Sequence, residues 1–357
     1  MKSRIIQPST DIAADPFKEH AGGLLRVRHQ VLGGAFEFAS DSPELMRLVR
    51  WAYHGLPRHR LSVSPPRMVV RLMLGGPAAG EPRRRDTRGR RDRAEPAPFA
   101  MLSTPGLLCG ASPSSTLAVM SAEQRSALIV VPRQLLRFPY HLRYELIELA
   151  VFTLAARAQG LMPLHAACVS HGPRGLLLIG DSGAGKSTAV LHCALRGLGL
   201  VSEDSLFVAP RSLLATGVAN FLHVRRESLR FLSAAQARLI HRAPIIRRRS
   251  GVRKFEVDLR QKPFRLAARP PEIRALVALS ARSAGREPML VPLAPGAALA
   301  QLRRSQPYAA SQPGWQTFTQ RLRGVPSFEL RRGRHPGESA TVLAELLAGV
   351  AGPADGG

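Results

Sequence analysis

Aromatic side chains make up only 5% of this 357-residue chain, so stacking platforms for single-stranded nucleic acid have little to be built from. Lysine is scarce too: of 51 basic residues only five are lysine (Lys2, Lys18, Lys186, Lys254 and Lys262). The three cysteines, Cys109, Cys168 and Cys193, are odd in number and far apart, which fits a reduced protein better than a disulfide framework. Their spacing shows no metal-ligand pattern either. No run approaches the roughly 18–20 uncharged apolar residues of a membrane helix, and the opening MKSRIIQPSTDIAADPF has no apolar core of a secretory leader. The expected setting is cytoplasmic, with no membrane partner.

What is present is enough for a real core. At 45% hydrophobic and 21% charged, the length suits one large domain or two ordinary ones and excludes wholesale disorder. The formal net charge of +26 would ordinarily point to nucleic acid. Ala, Gly, Pro and Arg are abundant together, however, so we read the charge as a compositional bias and disfavour a nucleic-acid partner.

The first 134 residues read as a smaller α+β region. Strand-like alternation runs from Leu25 to Phe38. A helix follows, with Ser42 as N-cap, Pro43 in its first turn, an apolar face of Leu45, Leu48, Val49 and Ala52, and Gly55 with Pro57 closing it. Strands are expected at 68–74, 116–120 and 127–131. Residues 76–98 are rich in Pro, Gly and Arg without periodicity, with seven arginines between Arg83 and Arg93, and read as a disordered surface insertion.

From residue 135 the spacing predicts a helix over 139–159, stopped by Gly160. Two strands, 164–169 and 175–179, are joined by the turn His171–Arg174. The second runs straight into Gly180-Asp181-Ser182-Gly183-Ala184-Gly185-Lys186-Ser187, followed by Thr188, a helix to residue 196 and a strand at 198–202. That order is a parallel α/β unit. Strands at 252–259, 273–279 and 328–330 and a helix at 337–350 complete the reading.

The octet from Gly180 to Ser187 fits G-x-x-x-x-G-K-[ST] without a mismatch. Glycines let the backbone wrap a phosphate chain with N–H groups pointing inward, and the helix start adds its positive end. Lys186 then reaches the β- and γ-phosphates, and the Ser187 hydroxyl is placed to ligate Mg²⁺. The expected ligand is ATP with magnesium. Glu203 and Asp204 close the next strand, where open α/β sheets bind ligands. One could hold magnesium through water and the other accept a proton from an incoming hydroxyl. His165 lies on the strand expected to pair with the loop-bearing one; core and functional readings of it both stand.

The arrangement Pro163-Leu164-His165-Ala166-Ala167, then Gly180 to Thr188, then Leu200-Val201-Ser202-Glu203-Asp204 resembles the HPr kinase/phosphorylase family and its kinase-only relatives. These are akin in fold to phosphoenolpyruvate carboxykinases. The close resemblance spans residues 163–204, and a looser one extends from about residue 135 to the end. It implies an α/β P-loop kinase domain over 135–357 that phosphorylates a serine of a small protein or peptide. Asp204 matches the base that deprotonates the acceptor serine, Lys186 and His165 match residues acting on the transferred phosphoryl group, and Ser187 matches a magnesium ligand.

Two departures matter. Glu203-Asp204 stands where the family often has two aspartates. The family's acid-x-basic-Gly-x-Gly signature around a second metal-binding glutamate is missing; Phe221–Glu227 occupies that region, with Glu227 as the candidate replacement. The resemblance therefore implies a kinase without phosphorylase activity. The basic stretch Arg247–Lys254, including Arg253 and Lys254, could supply cations to the triphosphate. An ATPase or nucleotide-sensing regulator is the alternative, a basic nucleic-acid-binding protein a weaker one, and a homo-oligomer is left open.

Overall fold

The computed structural model describes residues 23–75, 100–104, 106–112, 116–181, 183–248 and 250–350. The insertion expected at 76–98 lies outside them, as do Ser182 and Arg249. Strands β1 (Leu25–Val31) and β2 (Gly34–Ser40) form a hairpin, and helix α1 (Pro43–Tyr53) follows. Its start is the one the sequence dictates: Ser42 Oγ accepts the Leu45 N–H at 3.2 Å, and Leu45, Leu48, Val49 and Ala52 are all buried.

Strands β3 (Arg67–Gly75), β4 (Ala100–Ser103), β5 (Leu107–Ser112), β6 (Thr116–Ser121) and β7 (Ser126–Pro132) complete a mixed seven-stranded sheet. Its order is β1-β2-β3-β7-β6-β5-β4. The expected helix over 139–159 is helical but changes pitch: α2 (Pro139–His141), a π-helical stretch Leu142–Ile147, then α3 (Glu148–Ala158). Ala150, Val151, Leu154 and Ala155 of α3 are fully buried in one core with this sheet.

The remaining elements are, in order, β8 (Met162–Leu164), β9 (Ala167–His171), β10 (Arg174–Ile179), α4 (Lys186–Leu195), β11 (Gly199–Ser202), β12 (Leu206–Val208), β13 (Ala215–Gly217) and β14 (Phe221–Val224). Then come α5 (Ala234–His241), β15 (Ile245–Arg247), β16 (Arg253–Asp258), β17 (Glu272–Ser283), β18 (Leu290–Pro292), α6 (Pro295–Ser305), α7 (Pro307–Ala310), α8 (Trp315–Leu322), β19 (Ser327–Arg332) and α9 (Pro336–Gly349). The central sheet runs β11-β9-β10-β17-β19-β18; β13-β12-β8 and β14-β16-β15 are smaller antiparallel sheets.

Leu176-Leu177-Leu178-Ile179 is apolar without interruption because β10 is covered on both faces. Leu176 and Leu178 face a core shared with α4 and with Ala340, Leu343 and Leu347 of α9. Leu177 and Ile179 face another, shared with Ala298 and Leu302 of α6 and Phe318 and Leu322 of α8. The molecule is thus mixed α/β with several sheets.

Two expectations need correction. The stretch 164–169 is not one strand, since β8 and β9 join different sheets and His165 sits in the break. The reason is a distant side chain: Gln306 occupies both backbone groups of His165, accepting its N–H at 2.8 Å and donating to its carbonyl at 3.0 Å. The second correction concerns pairing. β10 and β11 run in the same direction but are not neighbours, because β9 lies between them antiparallel to both.

A buried charged girdle joins the N-terminal core to the β14–β16–β15 sheet. Arg143, on the π-helical stretch, is fully buried and ion-paired with Glu256 of β16. Its guanidinium lies 4.1 Å from the Trp51 ring of α1 and 4.3 Å from that of Phe221. Nearby, Asn220 Nδ2 donates to Glu148 Oε1 at 3.4 Å and to the Ala52 carbonyl at 3.0 Å.

Burial pushes the Glu148 carboxyl up to about 7 against the pull of Arg143, from an ordinary value of 4.5. The folded chain therefore binds more protons than the unfolded one between these values, and stability falls as pH rises through that window. Glu148→Gln is expected to remove that fall, read as the difference in denaturant midpoints between acidic and mildly alkaline buffer. An unchanged pH slope in the variant would refute this role.

Candidate active site

The site is built where three chain segments leave the central sheet at one edge. β10 pairs with β9 through Leu178 and Ala167, and β11 pairs with β9 through Ser202 and Cys168. Just past Leu178 comes the glycine loop, and just past Ser202 come Glu203 and Asp204. Because β9 runs the other way, the residues just before it, Ala166 and His165, lie at the same edge. The antiparallel insertion of β9 is what delivers a histidine to a loop fifteen residues further along the chain.

Within the loop, Gly180, Gly183 and Gly185 have φ of +154°, +85° and +103°. A Cβ on Gly180 would come 3.0 Å from the Leu279 carbonyl oxygen, so that position admits glycine on steric grounds as well as conformational ones. Gly185 is the N-cap of α4, and no side chain caps the helix. The first-turn amides are left for an anion. Arg332, at the end of β19, braces the loop by donating to the Gly183 carbonyl at 2.9 Å.

Lys186 is buried and folds back over the loop, with Nζ donating to the Gly180 carbonyl and, at 3.4 Å, to that of Asp181. Burial lowers its pKa, while Asp204, Asp181 and Glu203 pull it up. His165 Nδ1 and Asp204 Oδ1 form an ion pair. That hydrogen bond raises the His165 pKa against partial burial. Burial pushes Asp204 up, but His165 and the charges of Arg248 and Lys186 outweigh it and hold the carboxyl below its usual range. The pair sits beside the lysine, each partner favouring the charged form of the other.

A cavity of about 220 Å³ contains these groups. Its wall includes His165, Asp181, Gly183, Gly185, Lys186, Ser187, Thr188, Glu203, Asp204 and Lys254. Not every expected residue joins them. Glu227 is exposed on the 3₁₀ turn Arg226–Phe231 and does not line the cavity, although Arg225 and Ser228 do. Arg253 is exposed at the start of β16; strand alternation turns Lys254, not Arg253, to the cavity. Glu203 is buried, and its Oε2 accepts the His223 N–H of β14 at 3.2 Å.

Among the described residues no cluster of three or more His, Cys, Asp or Glu side chains could hold a metal ion alone. No family model matches this chain, and no curated protein matches it. The functional reading therefore rests on the residues themselves.

Sequence reasoning missed several of those residues. Gln306, which fixes His165, lies 141 positions away in a helix junction with no local signal. His223, 3.7 Å from Glu203 and 3.6 Å from Glu256, was visible only as a lone polar residue in the apolar strand Phe221–Val224. Arg332 lies two residues past the strand expected at 328–330, with nothing in the sequence to single it out. A second, larger cleft of about 1240 Å³ has His165 and Asp204 in its wall too, so the pair lines both spaces.

Proposed function

We propose that this chain is an ATP- and Mg²⁺-dependent kinase of the HPr kinase type, with a P-loop kinase domain akin to phosphoenolpyruvate carboxykinases. It transfers the γ-phosphoryl group to a serine hydroxyl of a small protein or peptide. The supporting observation is the His165–Asp204 ion pair in the wall of the cavity that holds Lys186 and the uncapped start of α4. Phosphoryl transfer needs little covalent help and much positioning and charge, which is what this cavity offers.

In the reaction the serine Oγ bonds to the γ-phosphorus while the bond from that phosphorus to the β,γ-bridging oxygen breaks. ADP leaves with the electron pair, and the serine proton passes to Asp204. Asp204 suits the role because its carboxyl is held below its usual range, and the His165 ring nitrogen holds it in place. Lys186, Arg248 and Lys254 place positive charge around the phosphate chain, and His165 adds another beside the group in flight. The Ser187 hydroxyl and the Glu203 carboxylate are hard oxygen donors of the kind magnesium takes alongside water and phosphate, and both line this cavity. Magnesium bound there supplies charge neutralisation.

The deciding experiment is incubation with γ-labelled Mg·ATP and serine-containing small proteins or peptides. Label on a serine supports the proposal. Label recovered as inorganic phosphate alone would overturn it in favour of an ATPase.

A further inference from the structure

We infer that the larger cleft beside His165 and Asp204 is the acceptor site, and that it takes an extended segment whose acceptor serine is flanked by bulky uncharged apolar residues. This rests on the kinase reading above and adds a substrate class to it. The geometry is one of shared walls. His165 and Asp204 line both the phosphate cavity and the cleft, and no residue of the glycine loop lines the cleft, so a hydroxyl lying in the cleft has Asp204 in its wall. At about 1240 Å³ the space exceeds the roughly 300–1,000 Å³ of a small-molecule pocket and fits several residues of chain.

The lining chemistry narrows the class. Leu149 and Phe152 of α3, Met162 of β8, Met101 of β4 and Tyr308 of α7 contribute apolar wall. Apart from His165 and Asp204, the lining among the described residues includes one charged side chain, Arg157. Its guanidinium is already engaged, donating to Ser103 Oγ at 2.8 Å and to the Thr104 carbonyl at 3.1 Å. Beyond the catalytic pair, a charged residue buried beside the serine would meet no unengaged charged partner among the described lining residues, and that costs more than the contact returns. The wall also includes strand β4, which ends the seven-stranded sheet as described, so an extended backbone has strand to lie along. Acidic residues belong further out on the acceptor, where the chain's net charge of +26 steers them without burial.

The test uses the full chain, Mg·ATP and a serine peptide library with Leu or Phe, Asp or Glu, or Lys or Arg beside the serine. Two variants, Met101→Glu and Tyr308→Ala, change cleft residues that are 43% and 48% exposed, so folding is not at stake. Apolar flanks should be phosphorylated about tenfold or more faster than charged ones, each variant should lose that preference, and ATP binding should be unchanged. Labelling that ignores the flank, or variants that match the parent, would overturn the cleft assignment and leave the kinase reading standing. If no serine is labelled although Mg·ATP binds, the kinase reading falls, and fluorescence polarisation of the same peptides decides the cleft: apolar-selective binding lost in the variants retains it as a peptide site, and no such binding overturns it.

Discussion

Asp204→Asn should leave Mg·ATP binding intact and lower phosphoryl transfer by about 10²–10⁴-fold, the usual contribution of a positioned general base. Asparagine keeps the shape of the side chain and can still accept from His165, but it cannot take the serine proton. Nucleotide affinity should hold or rise, since one negative charge beside the triphosphate is gone. The same variant carries a second readout. In the parent the hydrogen bond from His165 to Asp204 raises the histidine's pKa, whereas burial and Lys186 lower it. Without the carboxylate its charge no longer raises the histidine's pKa while burial and Lys186 still lower it, so the His165 titration should move to lower pH, measurable by NMR of its ring protons.

The sign for activity follows from the same pair. Charge on His165 is present below its raised pKa and lost as pH rises through it, so parent turnover should decline on the alkaline side. Asp204 is ionised throughout that range, its carboxyl being held low. Normal turnover in Asp204→Asn would remove the residue from the role of base. A His165 titration that did not move would show that the ion pair does not form.

How much of this was legible beforehand depends on how local each feature is. The α1 cap was readable because Ser42, Pro43 and Glu44 act on amides within one turn. The glycine loop was readable for a similar reason: positive φ and close backbone approach demand glycine at fixed spacings. The strand at 175–179 was readable from its apolar run, which α4, α9, α6 and α8 cover on both faces.

Features that depend on distant residues were not legible. Periodicity carried the strand from residue 164 to 169 straight through His165, because nothing local says that Gln306 takes both backbone groups there. Nor does it say that β9 inserts between β10 and β11, which is a choice among strand pairings rather than a property of any strand. Arg143 illustrates the same limit. Its neighbours in sequence mark a helix, and only the fold supplies Glu256 113 residues away and the rings of Trp51 and Phe221 that permit its burial. Glu227 failed in the opposite way: its position in the chain suggested a metal ligand, but the 3₁₀ turn that carries it leaves it exposed while Arg225 and Ser228 on either side line the cavity.

Lys186→Ala should abolish transfer, with a loss of about 10³-fold or more, corresponding to about 4 kcal/mol of transition-state stabilisation. The lysine is well placed for so large an effect. It is buried at the start of α4, and its ammonium group bridges the Gly180 and Asp181 carbonyls at the floor of the phosphate cavity. Those contacts are a resting arrangement that a phosphate oxygen can replace, since burial already disfavours the charge and an anion would restore it. The variant should therefore bind ATP more weakly, and the deficit should be smaller for ADP, which lacks the γ-phosphate. Lys186→Arg should not rescue, since a planar guanidinium cannot occupy the volume of a compact ammonium group between two loop carbonyls. Equal binding losses for ATP and ADP, or transfer by Lys186→Ala within about tenfold of the parent, would place the γ-phosphate elsewhere, and the assignment of His165 and Asp204 would fall with it.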